Sequence, residues 1–177
     1  TKIHEVRATD DHATIMAEGL LRNINLIGRL RISDLVVDGM DAQPTLRFTR
    51  DGDIYGYVQL TQRGSIDVND STGSCRLRPG SHVRMSGVKN ITVQNGGELI
   101  IDHASRITRT SAQEIDVKDN ASMRVLAGAK AHIGARVRVR AGSSLVIEDS
   151  AVVFLHDLIV EAGGTFKVME GAHVAFG

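Results

Sequence analysis

Two aspartates, Asp67 and Asp116, come closest to a hydrolytic arrangement in this sequence. Each occupies the middle of an apolar triplet, Ile66–Val68 or Ile115–Val117, and Thr92 holds the equivalent position between them. If the triplets are neighbouring layers of stacked strands, about 4.8 Å apart, the two carboxylates lie about 10 Å apart. An inverting glycoside hydrolase separates its carboxylates by about 6.5–9.5 Å. Because no aromatic residue shares this column to hold a sugar, we interpret both aspartates as part of a solvated face without a catalytic role.

Other residues capable of metal or acid–base chemistry are scattered. Asp102 and Glu148 share a column at corners, where acidic residues are common for turn reasons. Asp51-Gly52-Asp53 is interpreted as a hairpin turn, because the tandem glycine-rich nonapeptides of a calcium-binding roll are missing. Four histidines occupy different columns and therefore do not converge as zinc ligands must. They are His103, His132, His156 and His173. The sequence predicts no catalytic residue, no metal site and no cofactor.

The composition restricts the partners that this chain can have. Its 177 residues carry 21 Lys and Arg against 21 Asp and Glu, with four Phe, two Tyr and no Trp. A nucleic-acid binder usually shows a basic excess, and single-strand binders need aromatic platforms, so we expect no nucleic acid. No apolar run approaches the roughly 20 residues of a membrane span. The one cysteine, Cys75, falls in an apolar column and is expected to be a buried, unreactive thiol.

The elements that must position these residues are short strands in a repeat. Four apolar triplets begin at steps of 24, 22 and 21 residues, and a second and a third apolar pair follow each start at intervals of eight. Small residues such as Asn95-Gly96-Gly97 separate them, which suits sharp corners. Such a period indicates stacked coils, and the alternation within each triplet indicates strands with one buried face. The triplets are Ile91–Val93, Ile115–Val117, Val137–Val139 and Leu158–Val160.

The repeat becomes less regular towards the N-terminus. Leu46–Phe48 and Ile24–Leu26 are 22 residues apart and are expected to begin earlier coils, while Ala13–Arg22 is expected to form a short covering helix after Asp10 and Asp11. We divide the chain into an N-terminal cap or irregular entry segment, 1–45, and a β-solenoid, 46–177. In the solenoid the column that contains Val168 should point inward, so that Val168→Asp would be strongly destabilising.

The segment Val160–Val168, with its Ala162-Gly163-Gly164 corner, resembles the repeats of right-handed parallel β-helix proteins. That family includes viral tailspikes and tail fibres, bacterial surface adhesins and polysaccharide-degrading enzymes. The resemblance implies an all-β fold, a right-handed parallel β-helix with coils of about 21–25 residues. It also implies an extracellular, cell-surface or virion location and frequent trimerisation.

Several positions that should face solvent are apolar, and they concentrate in the last coils. Concentrated apolar surface often marks an interaction site. We therefore predict a homo-oligomer, with a trimer as the first expectation. The predicted interface residues are Ile100, Val146, Phe154, Ile159 and Phe176.

These observations lead to one functional hypothesis and two alternatives. The hypothesis is a non-catalytic structural solenoid in an extracellular appendage, either a viral tail fibre or spike or a bacterial surface adhesin, that faces a receptor or a glycan. A polysaccharide lyase or glycoside hydrolase would instead need converging carboxylates in an aromatic-lined groove. A self-assembling filament or shell subunit would need two complementary open strand edges.

Overall fold

The computed structural model is a β-solenoid of about seven turns. It describes residues 2–9, 12–22, 26–40 and 42–177, with side chains described for residues 19–21, 26–40 and 42–177. No helix occurs within these described ranges. All strand pairings between coils are parallel, and the antiparallel pairing of β1 with β2 is confined to the N-terminal end. The predicted all-β, coiled architecture is therefore confirmed.

The strands are short in the regular coils and longer where two faces are joined without a break. In chain order they are β1 (Lys2–Thr9), β2 (His12–Arg22), β3 (Leu26–Asp38), β4 (Thr45–Phe48), β5 (Asp51–Thr61), β6 (Ser65–Asn69), β7 (Ser74–Leu77), β8 (His82–Met85), β9 (Ile91–Gln94), β10 (Glu98–Ile101), β11 (Arg106–Arg109), β12 (Glu114–Val117), β13 (Ser122–Val125), β14 (Lys130–Val139), β15 (Ser144–Ile147), β16 (Val152–Val160), β17 (Thr165–Val168) and β18 (His173–Phe176).

Each coil contributes one strand segment to each of three lateral faces. The first face contains β4, β6, β9, β12 and the ends of β14 and β16. The second face contains the start of β5 with β7, β10, β13, β15 and β17. The third face contains the end of β5 with β8, β11, the starts of β14 and β16, and β18.

The corners between the faces use residues that tolerate positive φ. Asn95 and Gly96 have φ angles of 53° and 78°, and Gly142 and Gly163 at equivalent corners have 76° and 82°. This left-handed region is strained for most L-residues but open to Gly and Asn. The corner amides continue the ladder between coils, since Gly142 N–H donates to the Gly163 carbonyl at 2.9 Å. Small corner residues therefore allow a sharp turn without leaving backbone groups unpaired.

The core is a set of inward columns in which apolar side chains stack along the solenoid. Cys75 belongs to one of them, between Gly52 and Leu99, and is fully buried as predicted. Burial raises the pKa of its thiol, and the nearby Asp53 carboxylate raises it further. A thiolate is the reactive form of cysteine, so this environment keeps Cys75 inert.

The residues that end the three inward columns in the last coil are exposed. Ile147 has no exposed surface, whereas Val168, its partner in the next coil, is 43% exposed. Val160 and Phe176 end the other two columns and are also exposed. Val168 therefore lies in the predicted column but not in the core, because no described coil packs against it. The expectation that Val168→Asp is strongly destabilising has to be corrected accordingly.

The N-terminal coils differ from the sequence-based expectation. Ala13–Arg22 lies within strand β2 and not in a helix, because β2 pairs in parallel with β3 from Thr14 to Arg22. Long-range pairing overrides the weak local preference for helix. The coil that precedes Leu46 is aligned through Leu26, two residues later than predicted, while Ile24 and Asn25 lie outside the described residues. The division of the chain at residue 45 stays a prediction.

Asp51-Gly52-Asp53 is not a hairpin turn, because it begins β5 and pairs in parallel with β7. Gly52 is required there for a packing reason. A Cβ at this position would overlap the Phe48 ring and come within 2.7 Å of the Leu30 carbonyl oxygen. The fully buried Phe48 ring therefore occupies the space that a larger residue at position 52 would need.

We predict that Ile147→Asp will be far more destabilising than Val168→Asp, although both residues belong to one column. A carboxylate at position 147 is buried without a partner and should cost more than about 4 kcal/mol. At position 168 it reaches water, and the loss should be about 1–2 kcal/mol. Urea denaturation of the two variants measures the difference. Equal losses would show that the last coil is covered in solution.

Candidate functional site

The carboxylates that the sequence suggested for hydrolysis lie on the first face but are not solvated. Asp67 is only 6% exposed and Asp116 only 8%. Arg140 binds Asp116 through two nitrogens, at 2.7 and 3.1 Å. Asp67 accepts hydrogen bonds from Arg47 Nε at 2.8 Å and from Gln94 Nε2 at 2.9 Å. The expected solvated column is thus wrong, because long side chains from neighbouring coils lie over both carboxylates.

These contacts leave little capacity for acid–base chemistry. A general acid or base must come within hydrogen-bond distance of the substrate atom that gives or takes the proton. Both oxygens of Asp116 are bound by the Arg140 guanidinium, both oxygens of Asp67 are bound by different side chains, and both residues are more than 90% buried. Little of either carboxylate is therefore open to a substrate. The pair therefore fits a structural role better than a catalytic one.

Similar ion pairs cross the coils on the second face. Arg124 contacts Glu98 of the preceding coil at 3.1 Å and also pairs with Glu148 of the following coil. These bonds to Glu148 raise the pKa of the Arg124 guanidinium. Burial opposes ionisation of Asp102, but the His103 backbone N–H and the Arg76 guanidinium outweigh it, so its pKa lies below the ordinary value. Asp102 and Glu148 are therefore bound by arginines and do not form a carboxylate pair.

The first face ends in a small ion-pair network. Arg138 contacts Glu114 in the preceding coil at 3.2 Å and Glu161 in the following coil at 3.1 Å. Arg140 links Asp116 to the same Glu161. The network joins three successive coils through their side chains, in addition to the backbone ladder.

The third face is different, because its central outward column is formed by rings and cations. The strand registers place five residues of successive coils in line along the solenoid axis. They are Tyr57, His82, Arg106, His132 and Phe154. The sequence analysis did not find this column. It placed each histidine by its distance from the preceding first-face triplet, and the number of residues between the first and third faces differs from coil to coil. The spacing of His82, Arg106 and His132, at 24 and 26 residues, was the signal available in the sequence.

Ring contacts hold the two ends of this column, to which we refer below as the ring column. The Tyr57 and His82 rings meet edge to face with centroids 5.2 Å apart. The His132 and Phe154 rings are stacked at 4.8 Å with an interplanar angle of 10°. His82 Nε2 is also 2.7 Å from Thr108 Oγ1. Arg106 lies exposed between the two ring pairs.

Two open depressions flank Phe154 on this face. One is lined by Arg106, Lys130 and His132, and the other by Thr108, Arg109 and His156. Neither contains an acidic residue in its lining. Within the described ranges, no group of three or more His, Cys, Asp or Glu residues is placed to hold a metal ion.

No protein-family model matches this chain, and no significant similarity to a curated protein or to a solved structure is found. The described part of the chain also contains no helix long and apolar enough to cross a membrane.

The residues predicted to form an interface do not form one stripe. Ile100 and Val146 lie on the second face, Ile159 lies on the first face, and Phe154 lies on the third face in the ring column. Phe176 ends an inward column in the last coil and is 58% exposed. The interface itself stays a prediction.

Arginines flank two of these apolar residues on the second face. Ile100 lies between Arg76 and Arg124 in its outward column, and Val146 lies between Arg124 and Lys167. Both apolar side chains are only half-buried. Aliphatic stems of long cationic side chains often cover such positions.

We predict that His82 makes stability depend on pH. Burial lowers its pKa below the ordinary 6.5, and the charges of Arg106, Arg84 and His132 lower it further. The unfolded chain therefore takes up the proton first as the pH falls below about 6.5, and folded stability decreases towards the lower folded pKa. His82→Gln should reduce this loss between pH 7.5 and pH 5, measured by urea denaturation. His103→Gln, at an exposed corner, is the control, and an equal effect of both would contradict the assignment.

Proposed function

We propose that this chain is a non-catalytic structural β-solenoid in an extracellular appendage, a viral tail fibre or spike or a bacterial surface adhesin, and that it presents a lateral face to a receptor or glycan. The structural role in this proposal is supported by the arginine–carboxylate pairs that cross the coils. Each pair joins residues 20–26 positions apart, which are neighbours along the axis and not along the chain. The extracellular setting rests on the resemblance of the repeats to those of β-helix appendage proteins.

A stack held in this way suits a rigid rod. Backbone hydrogen bonds join each coil to its neighbours, and a solenoid opens by losing contact between adjacent coils. Arg124 and Arg138 each contact carboxylates on both sides, so separating either of two coil junctions breaks a charged hydrogen bond. A single exposed ion pair contributes little, but a network with fixed geometry contributes more. The same pairs occupy the acids that an enzyme would need.

We predict that Arg124→Met will lower the unfolding free energy by about 1 kcal/mol, because two cross-coil ion pairs are lost. Limited proteolysis should become faster in the coils around residue 124. Arg106→Met is the matched control, since Arg106 is exposed on the third face and makes no ion pair with a described residue; its effect should lie within about 0.5 kcal/mol. Equal effects of both substitutions would remove the support that the ion pairs give to the rod.

The non-catalytic part is tested by incubating the wild-type protein with neutral and acidic polysaccharides and assaying for new reducing ends and unsaturated products. No product is expected. Product formation that Asp67→Asn or Asp116→Asn abolishes, in a variant that remains folded, would establish the lyase or hydrolase alternative instead.

We further propose that the chain associates with itself, a trimer being the first expectation. Burial of one large apolar side chain contributes about 1.5–3 kcal/mol, so several per subunit can hold an assembly. Analytical ultracentrifugation at two protein concentrations should show a closed oligomer, and Phe154→Ser with Ile159→Ser should give a smaller folded species. A monomer at high micromolar concentration would contradict the proposal, and a mass that grows without limit would indicate a filament.

A further inference from the structure

We propose that the ring column of the third face binds an anionic polysaccharide, with Arg106 and the neighbouring histidines receiving its carboxylate or sulfate groups. This deepens the proposed function, because it assigns the glycan-facing role to one face and to one class of glycan.

The first argument is the distribution of charge. From β4 onward, the arginines within the strands of the first and second faces are paired with carboxylates across the coils. On the third face Arg84, Arg106 and Lys130 have no carboxylate within ion-pair distance among the described residues, and both depressions beside Phe154 lack an acidic residue. The third-face segments from β8 to β18 contain no acidic residue, so these cations form a patch without carboxylates of its own. Such a patch attracts anions.

The second argument is the geometry of the column. The rings on either side hold His82 and His132 in place next to Arg106. Successive outward positions are about 4.8 Å apart, so the five residues extend for about 19 Å along the axis. Arg106 supplies a planar set of donors that fits a carboxylate or sulfate with two parallel hydrogen bonds. A linear polymer with repeated acidic groups can follow this row.

The third argument excludes competing polymers by their chemistry. Single-stranded nucleic acid is usually bound by stacking its bases on free aromatic faces, but on this face His132 and Phe154 stack on each other. An extended peptide usually adds to an open strand edge. Here the strands β8, β11 and β14 are paired on both sides by neighbouring coils. A ligand on this face can therefore contact only the outward side chains. The cationic ones among them are complementary in charge to the acidic groups of a polysaccharide.

The groups around His82 and His132 come from all the strands packed against them. They are Tyr57 on β5, Arg84 on β8, Arg106 and Thr108 on β11, Lys130 on β14, and Phe154 and His156 on β16. None of these is acidic, so no side chain of this set competes with a bound anion for Arg106. The acidic residue next to the column is Asp34, which accepts from the Tyr57 backbone N–H at its far end.

The test measures binding of the full chain to dextran sulfate, polygalacturonate and uncharged dextran by isothermal titration calorimetry at pH 7.5. The two acidic polymers separate sulfate from carboxylate as the preferred group. We expect binding to at least one of them and none to dextran. Loss of a charged bidentate contact in Arg106→Gln should weaken binding by about tenfold or more.

Arg124→Gln is the control, since Arg124 also lies in an outward column, on the second face, but is already bound by two glutamates. It should bind the acidic polymer like the wild-type chain. Circular dichroism and thermal melting confirm that both variants are folded, and Arg106→Lys should recover part of the affinity because it restores the charge without the planar donors.

Three outcomes would overturn the proposal: no binding to either acidic polymer, equal losses in the Arg106→Gln and Arg124→Gln variants, or a single-stranded oligonucleotide that binds as tightly as the acidic polymers. Cleavage of the bound polymer would refute the non-catalytic function while leaving the binding site in place. A monomeric chain that still binds would refute the predicted self-association alone.

Discussion

In-register parallel pairing between coils determines both the core and the outer surfaces of this solenoid. Each backbone hydrogen bond between coils fixes equivalent residues one above another, so the fold converts a sequence period into columns of side chains. Inward columns become a continuous apolar core, and outward columns become lateral surfaces with a fixed axial spacing. The chemistry of any one position is therefore set by the residues one coil before and after it.

This arrangement explains why the acidic residues behave as they do. An outward carboxylate has neighbours from adjacent coils within reach, and where one of them is arginine the two side chains pair and cover each other. Asp67 and Asp116 are buried by such pairs even though they point away from the core. On the first and second faces these ion pairs link neighbouring coils. On the third face, Arg84, Arg106 and Lys130 make no ion pair with a described residue, and the outward column contains rings in place of carboxylates.

The last coil illustrates the same constraint from the opposite direction. Its residues have the types and the register of core residues, yet Val160, Val168 and Phe176 are exposed because an inward column is buried only when coils lie on both sides. Burial in a solenoid is thus a property of position in the stack as much as of residue type. A substitution in one column has different consequences at an inner coil and at the last one.

The periodic features of this protein could be predicted from its sequence. Apolar residues at regular offsets, with Gly and Asn at the corners, predicted stacked strands, and they correctly assigned Cys75 to the core, because these signals act within one coil and are visible in the chain. Which residues of different coils contact each other became apparent from the folded chain. Local preference favoured a helix at Ala13–Arg22, but pairing with β3 made it a strand.

The register of Leu26 with Leu46 and the alignment of His82, Arg106 and His132 depend on coil lengths that vary, so a fixed offset misplaces them. The burial of Asp67 and Asp116 follows from arginine side chains about one coil away, and no spacing rule specifies where a long flexible side chain comes to rest.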